Sequence, residues 1–255
     1  MMNIVSVKDI LIGKGIPKVI IPLMGVNLHE LKSELNEVKK ENPDIIEWRV
    51  DALKEAESIE AVIYVLSELH KEMDGIPLLF TFRSYKEGGM KNLNTSVYIN
   101  LLSTAIESGY LDLIDLELFT GTIEIKRLVE KAKRNQVVVI MSNHDFEGTP
   151  TNEEMTNRLI SMENAGADIV KIAVMPNSIS DVLRLLTVAE TIKTTAKQPY
   201  ITIAMGKKGI LSRIAGEFVG SAATFGSGKH ASAPGQIAAE ELKYLMERLH
   251  YHSNC

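Results

Sequence analysis

Cysteine is almost absent: Cys255, the last of 255 residues, is the only one. It can support neither a disulfide framework nor a cysteine metal site. Long apolar runs are missing too. None approaches the roughly 18–20 residues a membrane span needs. Excess positive charge is also lacking, and a net charge of −5 gives no reason to expect nucleic acid or an anionic membrane as partner. The opening "MMNIVSVKDI" has neither the basic nor the apolar region of a signal peptide. No linker, low-complexity tract or internal repeat breaks the chain. These absences point to a cytoplasmic protein that is one domain over residues 1–255. Its 45% hydrophobic and 24% charged residues are ordinary for a globular chain of a size that buries a real core.

What is present is an alternation. Short apolar runs read as strands at 18–24, 44–50, 77–83, 112–118, 137–144, 168–174, 199–205 and 221–226. Amphipathic runs read as helices at 28–40, 151–166, 180–193 and 235–249, the second opening on a capping-box pattern from Thr151 to Glu154. Eight strands, most followed by a helix, over about 250 residues predict a (β/α)8 TIM barrel. The rival is an open doubly wound sheet, but no GxGxxG follows the first strand. The leading "NIVSVKDILIGKG" is expected to form an N-terminal β-hairpin extension that caps the barrel.

In such a barrel, polar residues late on the strands gather at one mouth. Here they are Glu47 and Arg49, Arg83, Asp115 and Glu117, His144, and Lys171. Lys171 interrupts the buried run "DIVKIAV". A buried ammonium is costly unless paired or neutralised. It is either a structural lysine paired with Glu47 or Glu117, or an amine kept partly neutral as a nucleophile. Attack on a ketone would give an iminium, an electron sink that acidifies the adjacent C–H. His144 ends a very apolar strand and could remove that proton. No second His or Cys stands at ligand spacing, so a metal role is not expected. Arginines 49, 83 and 213 suggest an anionic substrate. Arg213 is either a carboxylate clamp or a surface helix charge. The loop 226–236, with Lys229, reads as a lid, a phosphate cradle or a plain surface loop. Glu87, in "SYKEGG", could fold over the mouth, although alone it reads as a solvated charge.

The stretches "EWRVD", "LLFTFRSYKEGG", "DLELFTG", "MSNHDF", "DIVKIAVMP", "GSAATFG" and "ASAPGQI" resemble type I 3-dehydroquinate dehydratase, from about Val5 to Leu249. The resemblance implies a (β/α)8 barrel, commonly a homodimer, that uses no metal or organic cofactor. The implied reaction is dehydration of 3-dehydroquinate to 3-dehydroshikimate in aromatic amino-acid biosynthesis, the shikimate pathway. By motif, it makes Lys171 the Schiff-base lysine, His144 the general acid/base and Glu87 the residue that orients or tunes it. Glu47, Arg49 and Arg83 would bind substrate and shape the pocket. Arg213 would hold the carboxylate, and Ser232 and Gln236 would close over the substrate. Some members have serine where this chain has Pro22, so no substrate contact is assigned there. Two other readings compete: a class I aldolase, which also uses a barrel lysine, and a binding barrel that retains the pocket without turnover.

Overall fold

A strand covered on both faces must be apolar on both faces, and that explains why the strand-like runs are nearly continuous hydrophobics. In the computed structural model, which describes residues 2–228 and 235–253, eight of these runs form one parallel sheet. A two-stranded antiparallel hairpin, β1 (Val5–Val7) and β2 (Ile10–Ile12), precedes them. The sheet strands are β3 (Lys18–Leu23), β4 (Ile45–Arg49), β5 (Leu78–Thr81), β6 (Leu113–Glu117), β7 (Val138–Asp145), β8 (Ile169–Val174), β9 (Tyr200–Ala204) and β10 (Ala223–Phe225). They lie in the order β10-β3-β4-β5-β6-β7-β8-β9. A Tyr200–Ser221 bridge joins the two ends. There the Ala222 amide donates to the Tyr200 carbonyl at 2.7 Å, and the Ser221 hydroxyl accepts the Thr202 amide at 3.1 Å. The barrel expectation and the hairpin expectation are both met.

The interior is stratified. One apolar residue from each strand forms the lower layer: Ile20, Ile45, Leu79, Leu113, Ile140, Ile169, Ile201 and Ala223. Val7 and Ile12 of the hairpin pack into the same cluster, so the hairpin closes the bottom. Each large aliphatic buried there stabilises the fold by roughly 1.5–3 kcal/mol. Two residues further along each strand, side chains return to the same face. Those positions hold Glu47, Thr81, Asp115, Ser142 and Lys171, and two further again come Arg49, Arg83, Glu117 and His144. Polar groups are therefore stacked on an apolar floor at the C-terminal end. The intervening residues, such as Trp48, Phe80, Ile114, Met141 and Val170, face outward into the helix layer. Trp48 and Phe80 meet there edge to face at 5.7 Å.

The helix layer comprises α1 (Leu28–Lys40), α2 (Ile59–Lys71), α3 (Thr95–Glu107), α4 (Thr122–Arg134), α5 (Asn152–Asn164), α6 (Ile179–Ile192), α7 (Ile210–Ile214) and α8 (Ala239–Ser253). Asn27, Ser58, Asn94, Thr151 and Ser178 each cap a helix by accepting an amide hydrogen in its first turn. The Thr151 capping box is met on one side only, because the Glu154 carboxylate pairs with Arg158 instead of reaching back. The reciprocal box occurs at Ser178 and Asp181. The last helix begins at Ala239, not at 235. Ser227 and Ala238 bridge in extended conformation, which keeps the preceding residues out of the helix.

Candidate active site

Register brings the reactive strands together before any side chain is considered. Ser142 is level with Lys171 on one side and with Glu117 on the other, and His144 is level with Ala173. The mouth above them is a pocket of about 530 Å³, a volume that includes the open solvent at its entrance. It is lined by Glu47, Arg49, Arg83, Glu87, His144, Lys171, Arg213 and Gln236, with Ala173, Ile203, Met205 and Phe225 as apolar wall. Eight of the nine residues expected at the site thus meet in one cavity. Ser232 lies outside the described residues, as does Lys229.

Lys171 is 5% exposed. Its partner is not Glu47 or Glu117 but Asp115, whose Oδ2 is 3.7 Å from Nζ. Glu47 is instead bonded by the Thr81 hydroxyl at 2.8 Å, and Glu117 accepts Arg83 Nη1 at 2.9 Å and the Ser84 amide at 2.8 Å. Nζ also stands 4.3 Å from the centre of the Phe225 ring, a contact that favours the cation. Burial lowers the Lys171 pKa. Asp115 and Glu47 push it back up, while Arg83 and Arg49 lower it further, and the net direction is down. The amine is therefore easier to deprotonate than an ordinary lysine.

His144 is held from behind. Glu87 Oε2 lies 2.9 Å from its Nδ1 and accepts its backbone amide at 2.9 Å, while Glu87 Oε1 accepts Asn143 Nδ2 at 3.2 Å. Glu87 is 6% exposed, so its reading as a solvated charge is wrong. The turn that carries it needs its glycines. Gly88 has φ +83°, and a Cβ on Gly89 would overlap the Arg83 carbonyl. Burial, then Arg83, Lys171 and Arg49, hold the imidazole pKa well below its usual value. Burial and the nearby Glu117 push the Glu87 carboxyl up to about 8, against Arg83, Asn143 and the His144 amide.

The arginines divide by role. Arg83, 3% exposed, reaches Asp115 and Glu117 at 2.9 Å each, Ser142 at 3.0 Å and Glu87 at 3.6 Å. It ties β6, β7 and the Glu87 turn together. Arg49 makes a two-pronged pair with Asp51, both bonds at 2.8 Å. Arg213 is not a surface helix charge: it is 1% exposed on α7 and donates Nη1 to the Phe225 carbonyl at 3.2 Å. Burial lowers its pKa to about 10, which leaves it a cation at neutral pH.

Sequence reasoning missed Asp51, Ser142 and Phe225 as parts of the site. Ser142 and Phe225 share the inward phase of their strands, so the period of two could have exposed them. Asp51 closes "EWRVD" just past the strand, where no periodicity applies. It is fully buried and also accepts the Arg83 and Met90 amides. Burial raises its pKa, but Arg49 and those amides lower it, and lowering prevails. Removing one member of a buried pair strands the other, so Asp51→Ala is expected to destabilise the fold by about 3–5 kcal/mol. A denaturant midpoint equal to that of the parent would refute this.

Comparison with known proteins agrees with the geometry. A family model described as type I 3-dehydroquinase matches residues 19–253. The 3-dehydroquinate dehydratase of Bacillus subtilis strain 168 is 48% identical over 250 residues, which span 98% of this chain and 98% of that protein. The crystal structure of type I 3-dehydroquinate dehydratase from Clostridium difficile superposes with a TM-score of 0.96 at 45% identity, covering 99% of this chain and 100% of that one. The crystal structure of 3-dehydroquinate dehydratase from Geobacillus kaustophilus HTA426 gives 0.96 at 36% identity, with 98% of each chain covered. With the match running through nearly the whole barrel and every strand of the mouth, this chain belongs to the type I 3-dehydroquinase family.

Proposed function

We propose that the chain dehydrates 3-dehydroquinate to 3-dehydroshikimate through an imine on Lys171. The observation that carries this reading is one buried lysine of lowered pKa sharing a pocket with a histidine backed by a carboxylate. The Lys171 amine adds to the substrate ketone, and the carbinolamine loses water to give a protonated imine. That cation withdraws electrons from the neighbouring C–H bond. His144 Nε2 takes the proton while Glu87 orients the ring through Nδ1. The resulting enamine expels the hydroxyl group, which leaves as water with the proton returned by His144. Water then hydrolyses the conjugated imine and frees Lys171. Elimination needs no outside oxidant or proton source.

Glu47 and Arg49 reach the cavity from β4 and are read as contacts to substrate hydroxyls. Arg83, already ion-paired with Asp115 and Glu117 and hydrogen-bonded to Ser142, shapes the pocket. Gln236 closes it from one side. Arg213 is assigned the substrate carboxylate, because it lines the pocket from α7, which follows β9, four strands around the eight-stranded sheet from β5 and the Arg83 that follows it with its carboxylate partners. Arg213→Ala is accordingly expected to raise KM by one to two orders of magnitude (about 1.5–3 kcal/mol for a charge-assisted bond), with a smaller change in kcat. Steady-state kinetics would remove Arg213 from this role if KM stayed the same.

Among the described residues no helix is long and apolar enough to cross a membrane. The proposal includes a cytoplasmic enzyme that associates as a homodimer, and sedimentation at micromolar concentration reads the second point. The main test is intact mass after adding 3-dehydroquinate and borohydride, which reduces an imine to a stable amine. A ligand-sized increase mapping to Lys171 is expected. Turnover without any adduct would overturn the mechanism.

A further inference from the structure

Asp115 takes part in no step described above, yet it is the carboxylate nearest to Lys171. It is 1% exposed and sits below the pocket on the inward face of β6. Its Oδ1 accepts the Ser142 hydroxyl at 2.6 Å. Its Oδ2 lies 2.9 Å from Arg83 Nη2 and 3.7 Å from Lys171 Nζ. Among the described residues, no other carboxylate oxygen lies within 4 Å of Nζ. The other charged groups around Lys171 come from every side of the mouth. Glu47 and Arg49 approach from β4, Arg83 from the end of β5, His144 from β7, Glu87 from its turn and Arg213 from α7. On the β10 side stands the Phe225 ring.

We propose that Asp115 is a positioning residue, the fixed counter-ion that accompanies the Lys171 nitrogen from ammonium to iminium. The proposal rests on the imine reading. The charge balance of the step supplies the argument. The ammonium first gives up a proton, and the free amine then forms the C–N bond as the carbonyl π pair moves to oxygen. That oxygen takes up the proton the ammonium released and a second one lost by the newly bonded nitrogen, and leaves as water while the nitrogen lone pair closes the C=N bond. Positive charge stands on the same nitrogen at the start and at the end. An anion held nearby stabilises both of those states and disfavours the neutral amine between them. Arg83 and Arg49 act in the opposite sense.

A counter-ion is most effective when it need not reorganise. Asp115 meets that condition because Ser142 and Arg83 clamp it from two strands, and its burial keeps water from screening it. Glu47 and Glu117 are less suited to the part, since Thr81, Arg83 and the Ser84 amide already direct them elsewhere.

The experiment follows the rate of adduct formation on Lys171 with 3-dehydroquinate and cyanoborohydride from pH 5 to 10, in wild type, Asp115→Asn and Ser142→Ala. Circular dichroism checks each fold. Asp115→Asn removes the anion and keeps the shape. Its acid limb is expected to move down by about one pH unit or more, as loss of an adjacent opposite charge does. Its kcat is expected to fall at least about tenfold, because the iminium loses its counter-ion. Ser142→Ala keeps the anion but removes a hydrogen bond that stabilises it, so Asp115 becomes more basic. The limb is then expected to move the other way, up by less than about half a unit.

A trapped adduct in wild type with an unmoved limb in Asp115→Asn would overturn the counter-ion assignment and leave the imine reading intact. Should Asp115→Asn fail to fold, Ser142→Ala decides: an upward shift supports the assignment and an unmoved limb overturns it. A wild-type enzyme that turns over without an adduct overturns both.

Discussion

Lys171→Ala is expected to lower turnover by about four orders of magnitude or more, because no other group on the site can hold the substrate covalently. The barrel should survive the change. The apolar floor beneath, from Ile20 around to Ala223, is untouched. Asp115 also keeps Arg83 and Ser142 as partners, so no buried charge is stranded. The space left behind opens into the pocket rather than forming a sealed void, which limits the cavity cost. Melting within a few degrees of the parent, no borohydride adduct, and no product by the absorbance of the conjugated enone is the expected combination. Measurable activity near the parental level would remove Lys171 from the chemistry.

The second large effect is at His144. His144→Ala leaves the lysine in place, so an imine should still form and be trapped. Proton removal then loses its base, and elimination should slow by about two to four orders of magnitude. The pH profile carries a further sign. Below about 8 the Glu87 carboxyl keeps its proton, and the Glu87–His144 pair as a unit is loaded. As pH rises through that region, the carboxylate forms, accepts the Nδ1 hydrogen and leaves the Nε2 lone pair ready. The parental rate is thus expected to rise with pH on a limb belonging to the pair. Glu87→Gln removes the titrating carboxyl, and the imidazole, already held neutral by burial and its cations, should be competent at lower pH. The limb should shift to acid while the maximum rate falls. A profile identical to the parent in Glu87→Gln, or normal turnover in His144→Ala, would contradict these assignments.

Much of the frame was readable because parallel strands covered on both faces must be hydrophobic throughout. A charged residue inside such a run therefore stands out, and Lys171 did. Boundaries were less legible. The amphipathic pattern of "GQIAAEELKYL" runs on past the real start of α8, because a bridge between Ser227 and Ala238 is a long-range pairing that leaves no local mark. β10 has only three residues, and its membership in the barrel depends on neighbours on both sides more than on its own sequence.

The polar partners were harder. Asp115, Glu117 and Glu47 all share the inward phase of their strands, and nothing local ranks their distances to Lys171. Strand tilt and register place Ser142 between Glu117 and Lys171 and bring Asp115 Oδ2 within 3.7 Å of Nζ. Glu87 read as a solvated charge for the same reason. Its burial comes from a glycine turn that folds it across to His144, 57 residues away in the chain.

By itself the sequence determined the alternation of strands and helices, the apolar lower layer, and the placing of one lysine and one histidine at inward positions late on their strands. Those are consequences of local periodicity, which burial imposes residue by residue. The tertiary structure alone decided which carboxylate faces the lysine, which arginines are braced and that Glu87 and Arg213 are buried, since each depends on distances across a closed barrel between residues far apart in the chain.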